Sequence, residues 1–146
     1  MEPLQHCDFQ SDSLVLKFDV HFPANLSEVV NVVDQIMKIV REMNCAAGSD
    51  FEIELALREA LVNAVVHGCK SDPDKMVQCC VACDVIRGLL IVVRDPGPGF
   101  DPASLPSPVV GQNLFASHGR GIYMINQLMD EVSFKRGGTE IHMRKK

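Results

Sequence analysis

No tryptophan occurs in these 146 residues, and no apolar run approaches the roughly 18 residues that a membrane-spanning helix needs. With 47% apolar and 23% charged residues, the composition is that of an ordinary globular protein, which excludes a disordered or fibrous chain. The opening stretch MEPLQHCDFQSDS has neither a basic start nor an apolar core. It is read as free of a secretion signal, and the chain as cytoplasmic and not membrane-bound. Basic charge is not in excess either. Lys and Arg number 14 against 19 Asp and Glu, a net charge of -5, which argues against direct nucleic-acid binding. An acidic domain can still hold a phosphate compound, because helix N-termini, backbone amides and a cation neutralise it locally. A second CxxC is also missing, so Cys80 and Cys83 do not complete a zinc site. The run around them looks like a strand, in which residues three apart point to opposite faces. The six cysteines are expected as reduced thiols, largely buried.

What is present is most simply one domain over residues 1–146. Leu14, Leu16, Phe18 and Val20 alternate with polar residues, a strand with one buried face that Pro23 stops. Apolar residues from Leu26 to Met43 recur at helical spacing, with Asn25 or Ser27 as the cap. Ser49 followed by Glu52 reads as a capping box that opens a second helix running to about His67, where Gly68 suits its end. Two strands are expected at about 75–86 and 89–94, then a long Pro-, Gly- and Ser-containing loop, and a third helix at about 121–129. Glu131 to Arg136 and Thr139 to Arg144 alternate as strands around the hairpin turn Gly137-Gly138. This order predicts an α/β two-layer sandwich, with a mixed, mostly antiparallel sheet and the helices on one face.

Three stretches carry chemistry. Glu59 and Asn63 lie one turn apart on the second helix and can reach one cavity. The Asn63 carbonyl oxygen suits magnesium, which takes few protein ligands and leaves the rest to phosphates and water. The Glu59 carboxylate can accept a proton from a hydroxyl nucleophile. Alone, the pair reads equally as a solvated helix face. Asp95-Pro96-Gly97-Pro98-Gly99-Phe100 follows the buried run Leu89 to Val93, so a strand end presents Asp95. Its carboxylate can accept a hydrogen bond from an exocyclic amine such as that of adenine, and glycines admit a flat ring close to main chain. Alone, this too fits a surface turn. Gly119-Arg120-Gly121 opens the third helix, where free amides make a phosphate site and Arg120 adds charge. No Gly-Lys-Ser/Thr follows, which excludes the P-loop, and the dinucleotide fingerprint belongs to a parallel βαβ unit. Thr139, entering the last strand, stands near Asp95 if the sheet joins the two strands.

In this fixed order the elements resemble the GHKL family, with its Bergerat ATP-binding fold, which includes the ATPase domains of histidine kinases and gyrase. Glu59-Ala60-Leu61-Val62-Asn63 is similar to its N-box, Asp95 to Phe100 to the first glycine box, Gly119-Arg120-Gly121 to the second, and Gly138-Thr139 to the last. The compact length and EALVNAVVHG most resemble the bacterial anti-sigma factor serine/threonine protein kinases. That resemblance implies a Mg-ATP-binding domain of the partner-switching type, which phosphorylates an antagonist protein and also binds a sigma factor or another regulator. It implies Glu59 as general base, Asn63 as magnesium ligand, and Asp95 with Thr139 as adenine readers. Gly97, Gly99, Gly119 and Gly121 shape the loops, and residues 101–118 form a lid over the phosphates. Two alternatives stay open: a non-catalytic ATP-gated binding module, and a detached histidine-kinase-type catalytic domain acting in trans. An exposed apolar face on the first helix would suit a homodimer or a sigma-factor contact.

Overall fold

A computed structural model describes residues 13–99 and 117–146. The lid expected over 101–118 lies outside the described residues, apart from its last two, which are helical. In chain order the elements are β1 (Leu14–Pro23), α1 (Leu26–Glu42), α2 (Asp50–Asn63), β2 (Met76–Asp84), β3 (Gly88–Arg94), α3 (Ser117–Leu128), β4 (Glu131–Lys135) and β5 (Glu140–Lys145). The strands form one five-stranded sheet in the order β1-β2-β3-β5-β4. Each strand is antiparallel to its neighbours, so the sheet expected to be mixed is antiparallel throughout the described residues. The reason lies in the connections. The helix pair α1–α2 reverses the chain twice and returns it to the end where β1 stopped, while hairpins join β2 to β3 and β4 to β5.

One face of the sheet packs on the helices. Val33, Ile36, Met37 and Val40 of α1 and Ile53, Leu57 and Leu61 of α2 meet Cys79 and Val81 of β2, Ile91 of β3 and Met143 of β5 in a single core. Burying each large aliphatic side chain contributes about 1.5–3 kcal/mol, and this repetition fixes the layer. Alternate residues of the same strands point the other way, where the cross-strand partners Cys80 and Val92 form a separate apolar pair. Cys80 and Cys83 therefore face opposite sides of β2, as strand geometry predicts.

The caps divide. The Asn25 carboxamide oxygen accepts from the Ser27 N–H at 3.0 Å, which caps α1. Ser49 makes no side-chain cap bond to α2. The Arg41 guanidinium instead reaches the first turns of α2, at 3.6 Å from Asp50 and 3.5 Å from Glu54. The expectation of reduced thiols fails at three of the described positions, Cys45, Cys80 and Cys83, all of which are disulfide-bonded. A disulfide joins Cys45, in the α1–α2 link, to Cys83 near the end of β2, with Cα atoms 6.0 Å apart. The helical hairpin brings the two ends together, a proximity that a sequence separation of 38 conceals. Cys69 and Cys79 are free and buried. Among the described residues, no helix is long and apolar enough to cross a membrane.

Candidate functional site

The site forms where α2 ends. Its last turn widens into a π-helical turn, Ala64–Gly68, closed by a bond from the Cys69 N–H to the Ala64 carbonyl at 2.8 Å. Such widened turns recur at functional sites because they rotate the following side chains out of α-helical register. Lys70 and Ser71 then take positive φ of 52° and 58°, which turns the chain sharply toward β2. Gly68 thereby lies flat against Asp95 at the end of β3. A Cβ built on Gly68 would fall inside the Asp95 carboxyl group, so glycine alone fits this approach.

Asp95 is half-buried and held from two sides. Its N–H donates to the Thr139 carbonyl at 3.0 Å, one step beyond the last rung of the β3–β5 ladder. Its carboxylate oxygen Oδ1 accepts from the Gly97 N–H at 2.8 Å. Burial pushes the Asp95 carboxyl above the usual carboxylate range, and the Gly97 hydrogen bond and the Lys75 charge only partly offset this. Gly97 packs on the Gly68 carbonyl and Gly99 on the Gly137 carbonyl, so the first glycine box bridges the end of α2 and the β4–β5 hairpin. Thr139 follows that hairpin, and its hydroxyl donates to the Arg136 carbonyl at 2.9 Å. The sheet thus unites Asp95 and Thr139, 44 positions apart in the sequence (139 − 95 = 44).

Glu59 and Asn63 are half-buried and lie against α3 rather than on an open face. A Cβ on Gly121 would stand 2.8 Å from the Glu59 carboxylate and 3.2 Å from the Asn63 amide nitrogen, so the third glycine element is seated on the first pair. The helix begins at Ser117, four residues before the expected start, so Gly121 lies inside it, whereas Gly119 belongs to the first turn, whose amides have no intrahelical partner. Arg120 belongs to the same helix, and its side chain lies outside what is described.

A cavity of about 290 Å³ opens between these parts. Asn63, Asp95, Gly99 and Thr139 line it. Apolar walls come from Val93, Ile122, Phe134 and Ile141. Such a cleft, apolar with a few convergent polar groups, suits a flat heterocycle with a polar edge. Sequence reasoning missed three contributors. Gly68 was read only as a helix end, His67 was assigned to the helix terminus, and Lys70 was passed over, yet all three line the cavity. The stretch His67-Gly68 was the available signal, since a glycine directly after a polar helix end fits a close approach as well as a stop. Among the described residues no three His, Cys, Asp or Glu side chains converge as a metal cage. The oxygen donors Asn63 and Glu59 fit a hard cation that draws its other ligands from phosphates and water.

The chain matches the family described as histidine kinase-like ATPase domain over residues 22–145. It belongs to that family, the GHKL class that its antiparallel sheet and covering helices define. It is 29% identical over 136 residues to the serine-protein kinase RsbW of Staphylococcus epidermidis, covering 87% of this chain and 84% of the relative. It is 26% identical over 127 residues to the serine-protein kinase RsbW of Bacillus cereus, covering 80% and 75%. The anti-sigma F factor of Bacillus cytotoxicus is 32% identical over 100 residues, covering 64% and 67%.

Proposed function

We propose that this protein is a single-domain Mg-ATP-dependent serine/threonine protein kinase of the anti-sigma, partner-switching type. The observation that carries the reading is the seating of Gly121 on Glu59 and Asn63 at one side of a cavity whose other side holds Asp95 and Thr139. Adenine fits the Asp95 side, where a carboxylate accepts from its exocyclic amine and Thr139 lies one hydrogen bond away. The phosphates then run toward α3, with Gly119, Arg120 and Gly121 beside them. Magnesium, when bound, would neutralise phosphate charge, with Asn63 as its protein ligand.

In the transfer, a serine or threonine hydroxyl oxygen of the antagonist protein forms a bond to the γ-phosphorus. The bond from that phosphorus to the β–γ bridging oxygen breaks, ADP leaves, and the hydroxyl proton passes to Glu59. Most of the acceleration in such reactions comes from positioning and charge stabilisation rather than from the base. The relatives' names, serine-protein kinase and anti-sigma F factor, support a protein acceptor and a sigma factor as partners. A second reading is an ATP-gated binding module without transfer, in which Glu59 seats Gly121 of α3 rather than taking a proton.

The deciding experiment incubates the protein with γ-labelled ATP, magnesium and the antagonist protein encoded nearby, then maps the labelled residue. Label on serine or threonine supports the kinase, label on histidine the trans-acting alternative, and ATP binding without label the module. Glu59→Ala is expected to retain ATP binding and to slow transfer by about 10²- to 10⁴-fold. Full transfer by that variant removes the base role.

A further inference from the structure

On the face of the sheet away from the helices, one carboxylate gathers three basic side chains directly behind the cavity. Arg94 and Glu140 are cross-strand partners on β3 and β5, and their Nε and Oε2 atoms lie 2.7 Å apart with side chains 14% and 5% exposed. Arg136 approaches the same Glu140 oxygen at 3.3 Å. His142 Nε2 meets the other oxygen at 2.6 Å. Arg94 also donates toward Cys80 Sγ at 3.6 Å.

The cluster is next in sequence to both residues assigned to adenine. Arg94 precedes Asp95, and Glu140 follows Thr139. The rung Arg94–Glu140 is the last of its ladder, and one step beyond it the Asp95 N–H donates to the Thr139 carbonyl. Past that bond the chains enter glycine-containing stretches, at Gly97 and Gly99 on one side and Gly137 and Gly138 on the other. Arg136 holds a positive φ of 53°, and its carbonyl accepts the Thr139 hydroxyl. The buried Glu140 carboxylate therefore holds the residue before Asp95, while Arg136, which orients the Thr139 hydroxyl, reaches the same oxygen with a side chain 56% exposed.

We propose that Glu140, through its buried pair with Arg94, is a positioning residue that sets purine-base discrimination by fixing the Asp95–Thr139 rung. This rests on the adenine reading of the site. Glu140 touches no nucleotide; it holds the strand ends at the spacing that an adenine edge requires. A surface ion pair would not do this, because solvent screens it and its side chains stay mobile. A buried one, hydrogen-bonded on both oxygens, confines the geometry.

The test measures equilibrium binding of ATP and GTP, with magnesium, together with the melting midpoint. The proteins compared are the full chain and its Arg94→Met/Glu140→Met, Arg94→Lys and Asp95→Asn variants. Replacing a buried pair by apolar side chains of similar volume is often neutral for stability, so the double variant separates positioning from folding. Its ATP affinity is expected to fall about tenfold and its ATP-to-GTP preference to collapse toward that of Asp95→Asn, with the melting midpoint nearly unchanged. Arg94→Lys, which keeps charge but loses the planar fork, is expected in between. Wild-type ATP affinity and preference in the double variant, while Asp95→Asn loses both, overturn the proposal and leave the adenine reading standing. Wild-type ATP binding by Asp95→Asn overturns both. If the double variant does not fold, Arg94→Lys decides, and a wild-type ATP-to-GTP preference overturns the proposal.

Discussion

Asp95 concentrates the chemistry of the site into one carboxyl group. Its pKa is raised by burial, with the Gly97 hydrogen bond and Lys75 acting against that. The folded state therefore binds the Asp95 proton more tightly than the unfolded chain does. Ionising Asp95 costs stability as pH rises from the ordinary carboxylate range to its folded pKa. The ionised form accepts a hydrogen bond from an exocyclic amine more strongly than the protonated carboxyl does. ATP affinity is thus expected to weaken on acidification at a higher pH than an ordinary carboxylate would give, and Asp95→Asn to abolish both this dependence and most of the binding. Isothermal titration across the acidic range checks the pair of expectations. Gly68 gives a steric counterpart. Gly68→Ala would push Cβ into the Asp95 carboxyl, and is expected to destabilise the fold by about 1–3 kcal/mol and to weaken ATP binding, as read from denaturant midpoints and titration.

Helices and strands were largely legible because periodicity is local. The stripe Val29, Val33, Ile36, Met37 and Val40 and the alternation along β1 follow from side-chain direction alone, and both elements lie where that pattern puts them. Ser49 does precede the first residue of α2, but its side chain makes no cap bond, because the side-chain geometry of a cap is not a property of the residue pattern alone. The start of α3 was placed at Gly121 because glycines look like helix boundaries; close packing on Glu59 and Asn63 explains Gly121 inside the helix. The π-helical turn escaped for a related reason, since its register depends on where the chain must go next. The Cys45–Cys83 disulfide was likewise invisible. It closes a segment with a sequence separation of 38, and the chain-entropy treatment gives about 4 kcal/mol for such a loop. Cys45→Ser is expected to lower unfolding stability by up to about that amount while leaving the nucleotide cavity in place. Urea unfolding of the variant beside the unchanged chain, both without reductant, measures it.

For the molecule as a whole, the cavity joins the end of α2, the end of β3, the start of β5 and the body of α3. A ligand held by so many elements should stabilise all of them together. ATP with magnesium at about 100 times its dissociation constant is expected to add about 2.7 kcal/mol to unfolding stability, visible as a raised melting midpoint. Asp95→Asn should show no such rise at the same nucleotide concentration. The sequence by itself determined the antiparallel bias, the buried faces, and the candidate set Glu59, Asn63, Asp95, Gly121 and Thr139. Side-chain period, turn chemistry and motif order are properties of neighbouring residues, so a single chain displays them. Only the tertiary structure decided which of those residues share a cavity. It also decided that Gly68, His67 and Lys70 line that cavity and that Glu140 pairs with Arg94 and Arg136. Those facts depend on distances between segments far apart in sequence, which are fixed only when the sheet closes its register and the helices settle on one face.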